Sequence, residues 1–319
     1  MCTAINYKCK NHYFGRNLDL EYGYGELVAV TPENYEFVFR NGSKLSVHYA
    51  MIGMAAVDQG YPLYFDATNS KGLSIAGLNF PGNAVYLPFT GAKTDFNPYE
   101  LIPWILGQCA NVLEAAALLR EMRICDLPYR EELPLTPLHW IISDSRKNIV
   151  AEPMSDGLHL YDDPHGVLTN NPPLPYHLHH LAEFMHLSPE QTVNRMTRTE
   201  LAPYSNGMGA MGLPGDFSSG SRFVRAVFLK ENAVADGSEV AQFFHLLSGV
   251  SMPRGGVRTK NGYQITRYSS CCDTKNGIYY YTTYDNSRPS AVAMHNCDLQ
   301  CGHVITFPLR QKPDILWQN

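Results

Sequence analysis

The β-rich segments of this 319-residue chain come in uninterrupted runs, and that order narrows the possible folds more than any single motif does. Thr3–Tyr7, Leu27–Thr31, Tyr35–Phe39, Val47–Val57 and Leu73–Phe80 read as consecutive strands, broken by turn residues such as Gly23, Pro32 and Asn41-Gly42. Two helices follow. Tyr99–Ala110 is apolar, and Asn111 caps a second helix, with Glu114 in the matching capping-box position and Val112, Leu113, Ala116 and Leu119 at helical spacing. Strands return at Leu138–Ser143, Asn148–Glu152, Leu158–Tyr161 and Val167–Thr169. Helical signals then cover Tyr176–His186, a start at Ser188-Pro189-Glu190-Gln191, and Ser221–Lys230. A further helix, capped by Asp236 with Glu239, carries an apolar stripe of Val240, Phe243, Phe244 and Leu247. Gln264–Cys272 pairs with Gly277–Tyr284 across Asp273–Asn276, and Val304–Leu309 closes the chain. Parallel strands would need a crossover between each pair. Runs without crossovers predict an α+β fold of antiparallel sheets with helices on the outer faces, in one domain spanning 1–319.

Composition excludes several functions. Hydrophobic residues make up 45% and charged residues 17%, which suits a globular protein and not a disordered one. A net charge of −5 gives no basic footprint for nucleic acid, so an anionic substrate would have to be held by local cations. No apolar run reaches the length of a membrane span, and Asn6, Lys8, Lys10 and Asn11 break up the start where a signal peptide would be apolar. These features predict a cytoplasmic protein with no membrane partner. The eight cysteines, at 2, 9, 109, 125, 271, 272, 297 and 301, are irregularly spaced, which suits reduced thiols.

The first chemical candidate is Cys2. If Met1 is removed, the chain starts with a cysteine whose free α-amine and thiol sit in one residue. Such groups titrate near 7.7–8.0 and 8.5, so a nucleophile and its base would share one position. A hairpin of Thr3–Tyr7 with Tyr13–Asn17 brings Arg16 and Asp19 back to the N-terminus, where arginine favours a thiolate and a carboxylate holds an amine. A purely structural Arg–Asp pair would read the same way. Asn79 and Asn170 each end an apolar strand just before a proline-containing turn, a place for oxyanion donors but also for ordinary turn asparagines. Of Arg222 and Arg225, one turn apart on a helix, one can point into a site and the other serve packing. His177, His179, His180 and His186 crowd one segment, and Cys297 to His303 has a faint look of a metal knuckle. Neither has paired CxxC units or an HExxH helix. Arg254-Gly255-Gly256 lacks the Lys-Ser/Thr of a nucleotide loop.

Together these residues resemble a known family. The Cys-Thr start, FGRNLDLE at 14–21, GLSIAGLNFPGN at 72–83, LHWIISD at 138–144, GVLTNNP at 166–172, GLPGDFSSGSRFVRA at 212–226 and GIYYYTTYDN at 277–286 look like choloylglycine hydrolases. These are N-terminal-nucleophile (Ntn) amidases that include bile salt hydrolases and penicillin V acylases. The resemblance implies an αββα four-layer sandwich of two mostly antiparallel sheets, assembled as a homotetramer. It implies Cys2 as nucleophile after loss of Met1, with Arg16 and Asp19 beside it. Asn79 and Asn170 would serve the oxyanion and substrate amide, and Arg222 would complete the charged network, with Asn171 and Arg225 as support. The implied reaction cleaves the amide of glycine- or taurine-conjugated bile salts, with no metal or organic cofactor. Penicillin V hydrolysis is the alternative within the family, although that branch carries an aromatic residue where this chain has Asn79. A non-catalytic binder of amphipathic anions is the alternative from another class. Exposed loops near 20–25, 55–65 and 127–140, with Tyr22, Tyr24, Met54, Ala55, Tyr61, Phe65 and Leu133, are candidates to line a sterol groove.

Overall fold

The computed structural model describes all 319 residues. From the N-terminus, β1 (Cys2–Lys8), β2 (His12–Leu20), β3 (Leu27–Thr31), the short pair β4 (Phe37–Val38) and β5 (Lys44–Leu45), β6 (Met51–Asp58), β7 (Tyr61–Asn69) and β8 (Ser74–Asn79) precede any helix. β9 (Asp95–Phe96), α1 (Leu101–Gln108), α2 (Val112–Arg120) and β10 (Arg123–Ile124) follow. Then come β11 (Leu138–Ser143), β12 (Asn148–Met154), β13 (Gly157–Asp162), β14 (Val167–Leu168) and the helices α3 (Leu174–His180), α4 (Ser219–Glu231) and α5 (Glu239–Ser248). The chain ends with β15 (Val257–Thr259), β16 (Gly262–Asp273), β17 (Ile278–Thr283), β18 (Asn286–Ala293) and β19 (Ile305–Pro308).

Two large sheets result, and all their pairings are antiparallel. One runs β14-β1-β2-β16-β17-β18, with β15 added to β16; the other runs β13-β12-β11-β8-β7-β6-β3-β19. The alternation of side chains along each strand builds the layers. In the second sheet Val28, Val30, Ile52, Met54, Ala76, Leu78, Ile141 and Val150 face the first sheet and join its core. Their neighbours Ala29, Met51, Ala55, Ile75, Trp140, Ile142, Ile149 and Ala151 face the other way, against α1 and α2. α4 and α5 cover the outer face of the first sheet through Phe223, Ala226, Phe243 and Leu247. The order is therefore helix, sheet, sheet, helix, and β2, covered on both sides, is buried along its whole length. Gly15 lets β2 lie so close to β16, because a Cβ there would run into the Ser270 carbonyl.

Three expectations from the sequence need correcting. The region expected as an exposed loop at 55–65 is a hairpin, β6 into β7, turning at Gln59 and Gly60, whose φ angles are 48° and 84°. Pro62 and Asp66 disguise β7. Proline discourages a strand assignment, and Asp66 is tolerated in the core only because Tyr268 and Tyr279 donate to its two oxygens, at 2.8 and 2.6 Å. No helix starts at Ser188-Pro189: the Ser188 hydroxyl accepts from the Glu190 N–H at 3.0 Å, but nothing continues the turn. The residues that follow have no apolar stripe to bury and are exposed, so capping chemistry alone does not sustain a helix. Asp236 does not cap α5, which begins after Ser238; it accepts from the Ser238 hydroxyl at 3.2 Å instead. The boundaries of Tyr35–Phe39 and Val47–Val57 also shrink, to Phe37–Val38 and to a strand beginning at Met51.

Candidate active site

The β1–β2 hairpin sets Cys2 opposite Leu18, so Asp19 flanks the start of the chain and Arg16 lies opposite Ala4. Cys2 is buried at the floor of a cavity of about 280 Å³. The cavity walls are mostly apolar: Leu18, Leu20, Tyr24, Phe65, Leu133 and Leu138 are among them, while Asp58 and Arg130 form an ion pair of 3.2 Å. Of the candidate groove residues, Tyr24, Phe65 and Leu133 do line this cavity. Tyr22 packs edge-on against Tyr24, Tyr61 packs against Phe37 and Tyr129, and Met54 and Ala55 belong to the cores between layers.

Met1 extends the hairpin ladder. Its amine donates to the Asp19 carbonyl at 2.6 Å, and the Asp19 N–H donates to the Met1 carbonyl at 3.0 Å. The nitrogen of Cys2 donates to Asn170 Oδ1 at 2.9 Å. Arg222, projecting from α4, closes the same circuit. Its Nη1 donates to the Cys2 carbonyl at 2.5 Å and to Thr3 Oγ1 at 2.7 Å, and its Nη2 donates to Asn170 Oδ1 at 2.7 Å. Asn170 Nδ2 donates in turn to the Asn79 carbonyl at 2.7 Å. The Asn79 side chain, at the end of β8, lines the cavity and makes no protein hydrogen bond of its own.

Arg16 approaches from the other side. Its Nη1 donates to the carbonyls of Phe65 at 3.1 Å and Gly77 at 2.5 Å, while its Nη2 is buried with no partner. Burial opposes the Arg16 charge, but Cys2, Tyr268, Asp66 and Asp19 outweigh it and hold the guanidinium above its ordinary range. Asp19 Oδ1 accepts from Thr266 Oγ1 at 2.6 Å, and Asp19 Oδ2 is buried with no partner. Burial pushes the Asp19 carboxyl up, against Arg222, the chain's amino terminus, Thr266 and Arg16. Burial likewise lowers Arg222, with Asp19 and Cys2 opposing. A thiol, two guanidiniums and a carboxylate thus share one water-poor space, and one polar atom of Arg16 and one of Asp19 remain unpaired. Unpaired charged groups beside a buried thiol and an open cavity suit a place where something else binds or reacts.

The fold brings all six residues singled out from the sequence, Cys2, Arg16, Asp19, Asn79, Asn170 and Arg222, to this one place. Their two supporters lie outside it. Arg225 donates to the carbonyls of Gly249, Pro214 and Asp216 and so fastens the loop before α4. Asn171 ties Pro81 to Asn83. Sequence reading missed Thr3, Thr266 and Asp66. Thr3 and Thr266 carry no distinctive chemistry and Asp66 reads as a surface carboxylate; only the register of β1, β16 and β7 aims them at the charged groups. The crowded histidines do not gather around a point: His177 faces the Asn170 carbonyl at 2.9 Å, and His180 faces Glu183 at 3.4 Å.

The profile of the family described as linear amide C–N hydrolases, choloylglycine hydrolase family, matches residues 2–307. The chain is similar to the bile salt hydrolase/transferase of Lactiplantibacillus plantarum, 46% identical over 317 residues and covering 98% of each chain. Among solved structures it resembles a variant of the conjugated bile acid hydrolase from Clostridium perfringens, with a TM-score of 0.92, 34% identity and full coverage of both chains. Penicillin V acylase from Agrobacterium tumefaciens shares the fold, with a TM-score of 0.77 at 20% identity over 96% of this chain and 91% of its own.

Proposed function

The chain belongs to the choloylglycine hydrolase family of linear amide C–N hydrolases, and from that premise we propose that it cleaves conjugated bile salts by an N-terminal cysteine mechanism. The observation that carries this reading is the setting of Cys2. The buried residue lines an apolar cavity, while its nitrogen and carbonyl are already held by Asn170 and Arg222.

Removal of Met1 turns the Cys2 nitrogen into a primary amine without disturbing its bond to Asn170 Oδ1. The amine takes the thiol proton, and the thiolate, with Arg16 and Arg222 near it, attacks the amide carbonyl that joins the sterol acid to glycine or taurine. A C–S bond forms, and the carbonyl electrons move onto oxygen. The unpartnered Asn79 side chain, with a nearby backbone donor, stabilises that oxyanion. The ammonium, balanced by Asp19, gives its proton to the leaving nitrogen. The C–N bond then breaks and a thioester remains on Cys2. Water, deprotonated by the same amine, adds to the thioester, and the C–S bond breaks to release the free bile acid. Leu18, Leu20, Tyr24, Phe65 and Leu133 would cover the apolar sterol, a burial that favours binding by roughly 25 cal/mol per Å².

Two further properties belong to this proposal. The chain assembles as a homotetramer, supported by Met185, Met196 and Tyr204, each more than 80% exposed on the segment before α4. It works in the cytoplasm, a reducing compartment that suits eight cysteines of which none is paired. No helix is long and apolar enough to cross a membrane.

The deciding experiment joins an intact-mass measurement of the N-terminus to an assay of amine release. An active chain beginning at Cys2, releasing glycine or taurine from conjugated cholate faster than phenoxyacetate from penicillin V, agrees with the proposal. Full activity in a chain that keeps Met1 overturns the mechanism, and faster release of phenoxyacetate overturns the substrate.

A further inference from the structure

Behind Asn170 lies a second buried layer that none of the steps above uses. His139, Glu152 and His177 are fully buried, on β11, β12 and α3. His177 Nε2 donates to the Asn170 carbonyl at 2.9 Å, and its ring stacks on Phe223 of α4, with centroids 4.9 Å apart. His139 Nε2 lies 3.2 Å from the carbonyl of Thr169, and its ring stacks on Phe80, with centroids 4.2 Å apart and planes 8° from parallel. One imidazole therefore touches the chain neighbours of both Asn170 and Asn79. Glu152 Oε1 meets His139 Nδ1 at 3.1 Å and accepts the Leu174 N–H at 3.1 Å, so the carboxylate sets the histidine ring and anchors the start of α3 together. Ser219 Oγ accepts the Asn170 N–H at 2.8 Å. The backbone of Asn170 is thus fixed at both its N–H and its C=O by side chains from two helices, and the preceding carbonyl by a third side chain.

We propose that His177 and the His139–Glu152 pair are positioning residues for the hydrolysis: they hold the Asn170 backbone so that Oδ1 can receive both the Cys2 amine and Arg222. A side chain that must accept from two groups at 2.9 and 2.7 Å has little freedom to shift, and its own Nδ2 is already committed to Asn79. Small displacements of such a residue misdirect the amine that carries the proton. The arrangement gives His177 a role other than metal binding. Its Nε2 is occupied by a carbonyl, and its Nδ1 is buried without a partner, so the ring acts as a single fixed donor. This inference rests on the reading of Cys2 as the N-terminal nucleophile.

The test is steady-state hydrolysis of glycine-conjugated cholate by His177→Phe and His177→Gln, with alkylation of Cys2 by iodoacetamide measured alongside. Phenylalanine keeps the ring and its stack on Phe223 but loses the donor. We expect kcat to fall about 10–100-fold with KM within about twofold, and alkylation to slow with it. Glutamine restores an N–H within reach of the same carbonyl and should recover most of kcat. A folded His177→Phe with unchanged kcat overturns the proposal, as does a loss that glutamine does not recover and that tracks melting temperature alone. Should His177→Phe not fold, His139→Phe, which keeps the stack on Phe80 but has no donor for the Thr169 carbonyl, must show the same kcat-specific loss, and unchanged kcat there overturns the proposal as well. A wild-type chain that releases no glycine sinks the proposed function itself, whereas an active wild type beside an equally active His177→Phe sinks only the positioning role.

Discussion

The two ends of the β1–β2 hairpin both bury polar side chains and are finished in opposite ways. At the far end Asn6 donates to Ser143 Oγ at 2.7 Å and to Asn148, and Ser143 donates to Asn148 Oδ1 at 2.8 Å. His12 Nδ1 meets Thr274 Oγ1 at 2.8 Å there, and every buried polar atom of this group has a partner. The near end, at Cys2, leaves Arg16 Nη2 and Asp19 Oδ2 without one. The cavities differ in the same sense. The far end opens into a hollow of about 820 Å³ lined by Lys8, Lys10, Lys71 and Lys275, while the near end has an apolar cavity of about 280 Å³. Size alone would choose the wrong one. Polar groups that satisfy one another serve stability, and buried polar groups left open are available to a substrate.

That contrast can be broken or sharpened by mutation. Cys2→Ala should reduce amine release to background with the melting temperature unchanged; measurable turnover would mean that another nucleophile does the chemistry. Asn79→Ala should lower kcat by about 10²–10³, the ordinary cost of losing one oxyanion donor, with no loss of stability. Ser143→Ala works on the opposite end: it should leave kcat untouched while costing about 1–3 kcal/mol in chemical denaturation, because it strips partners from Asn6 and His12. If Ser143→Ala lowered kcat instead, the two ends would not be separable.

The smallest effect concerns pH. Burial lowers the pKa of His12 from 6.5 to about 4, with Asp144 opposing and Lys8 assisting. Between those values the unfolded chain binds a proton that the folded chain refuses, so the contribution of His12 is complete above pH 6.5 and is lost as pH falls toward about 4. His12→Gln should flatten the acid side of the stability curve over that window and leave the rate at neutral pH alone. An unchanged slope would show that other groups set it.

The runs of antiparallel strands were legible in the sequence from alternation and turn residues, although β18 was not. The hairpin that returns Arg16 and Asp19 to Cys2 and the strand ends at Asn79 and Asn170 gave only weak local signals, and the family resemblance was needed to set them in one site. β7 was not legible, because Asp66 looks like a surface residue until Tyr268 and Tyr279, more than 200 positions away, are folded onto it. The roles of His139, Glu152 and His177 were hidden for the same reason. A lone buried histidine has no periodic signature, and only the meeting of β11, β12 and α3 behind Asn170 gives it a partner. The apparent helix start at Ser188 shows the converse, a local signal that no tertiary surface supports.

Met1 occupies a rung of the β1–β2 ladder, bonded to Asp19 through both its amine and its carbonyl. On the proposed mechanism this makes enzyme production a race. A peptidase needs the first residues free and extended, and the closing hairpin withdraws them. A chain trimmed early folds active. A chain that folds first is ordered but inert, its Cys2 nitrogen locked in a peptide bond that cannot serve as a base. Two populations differing in mass by one methionine are therefore expected wherever synthesis outruns trimming, and specific activity then reports how fast the nascent chain was processed as well as how good the catalyst is.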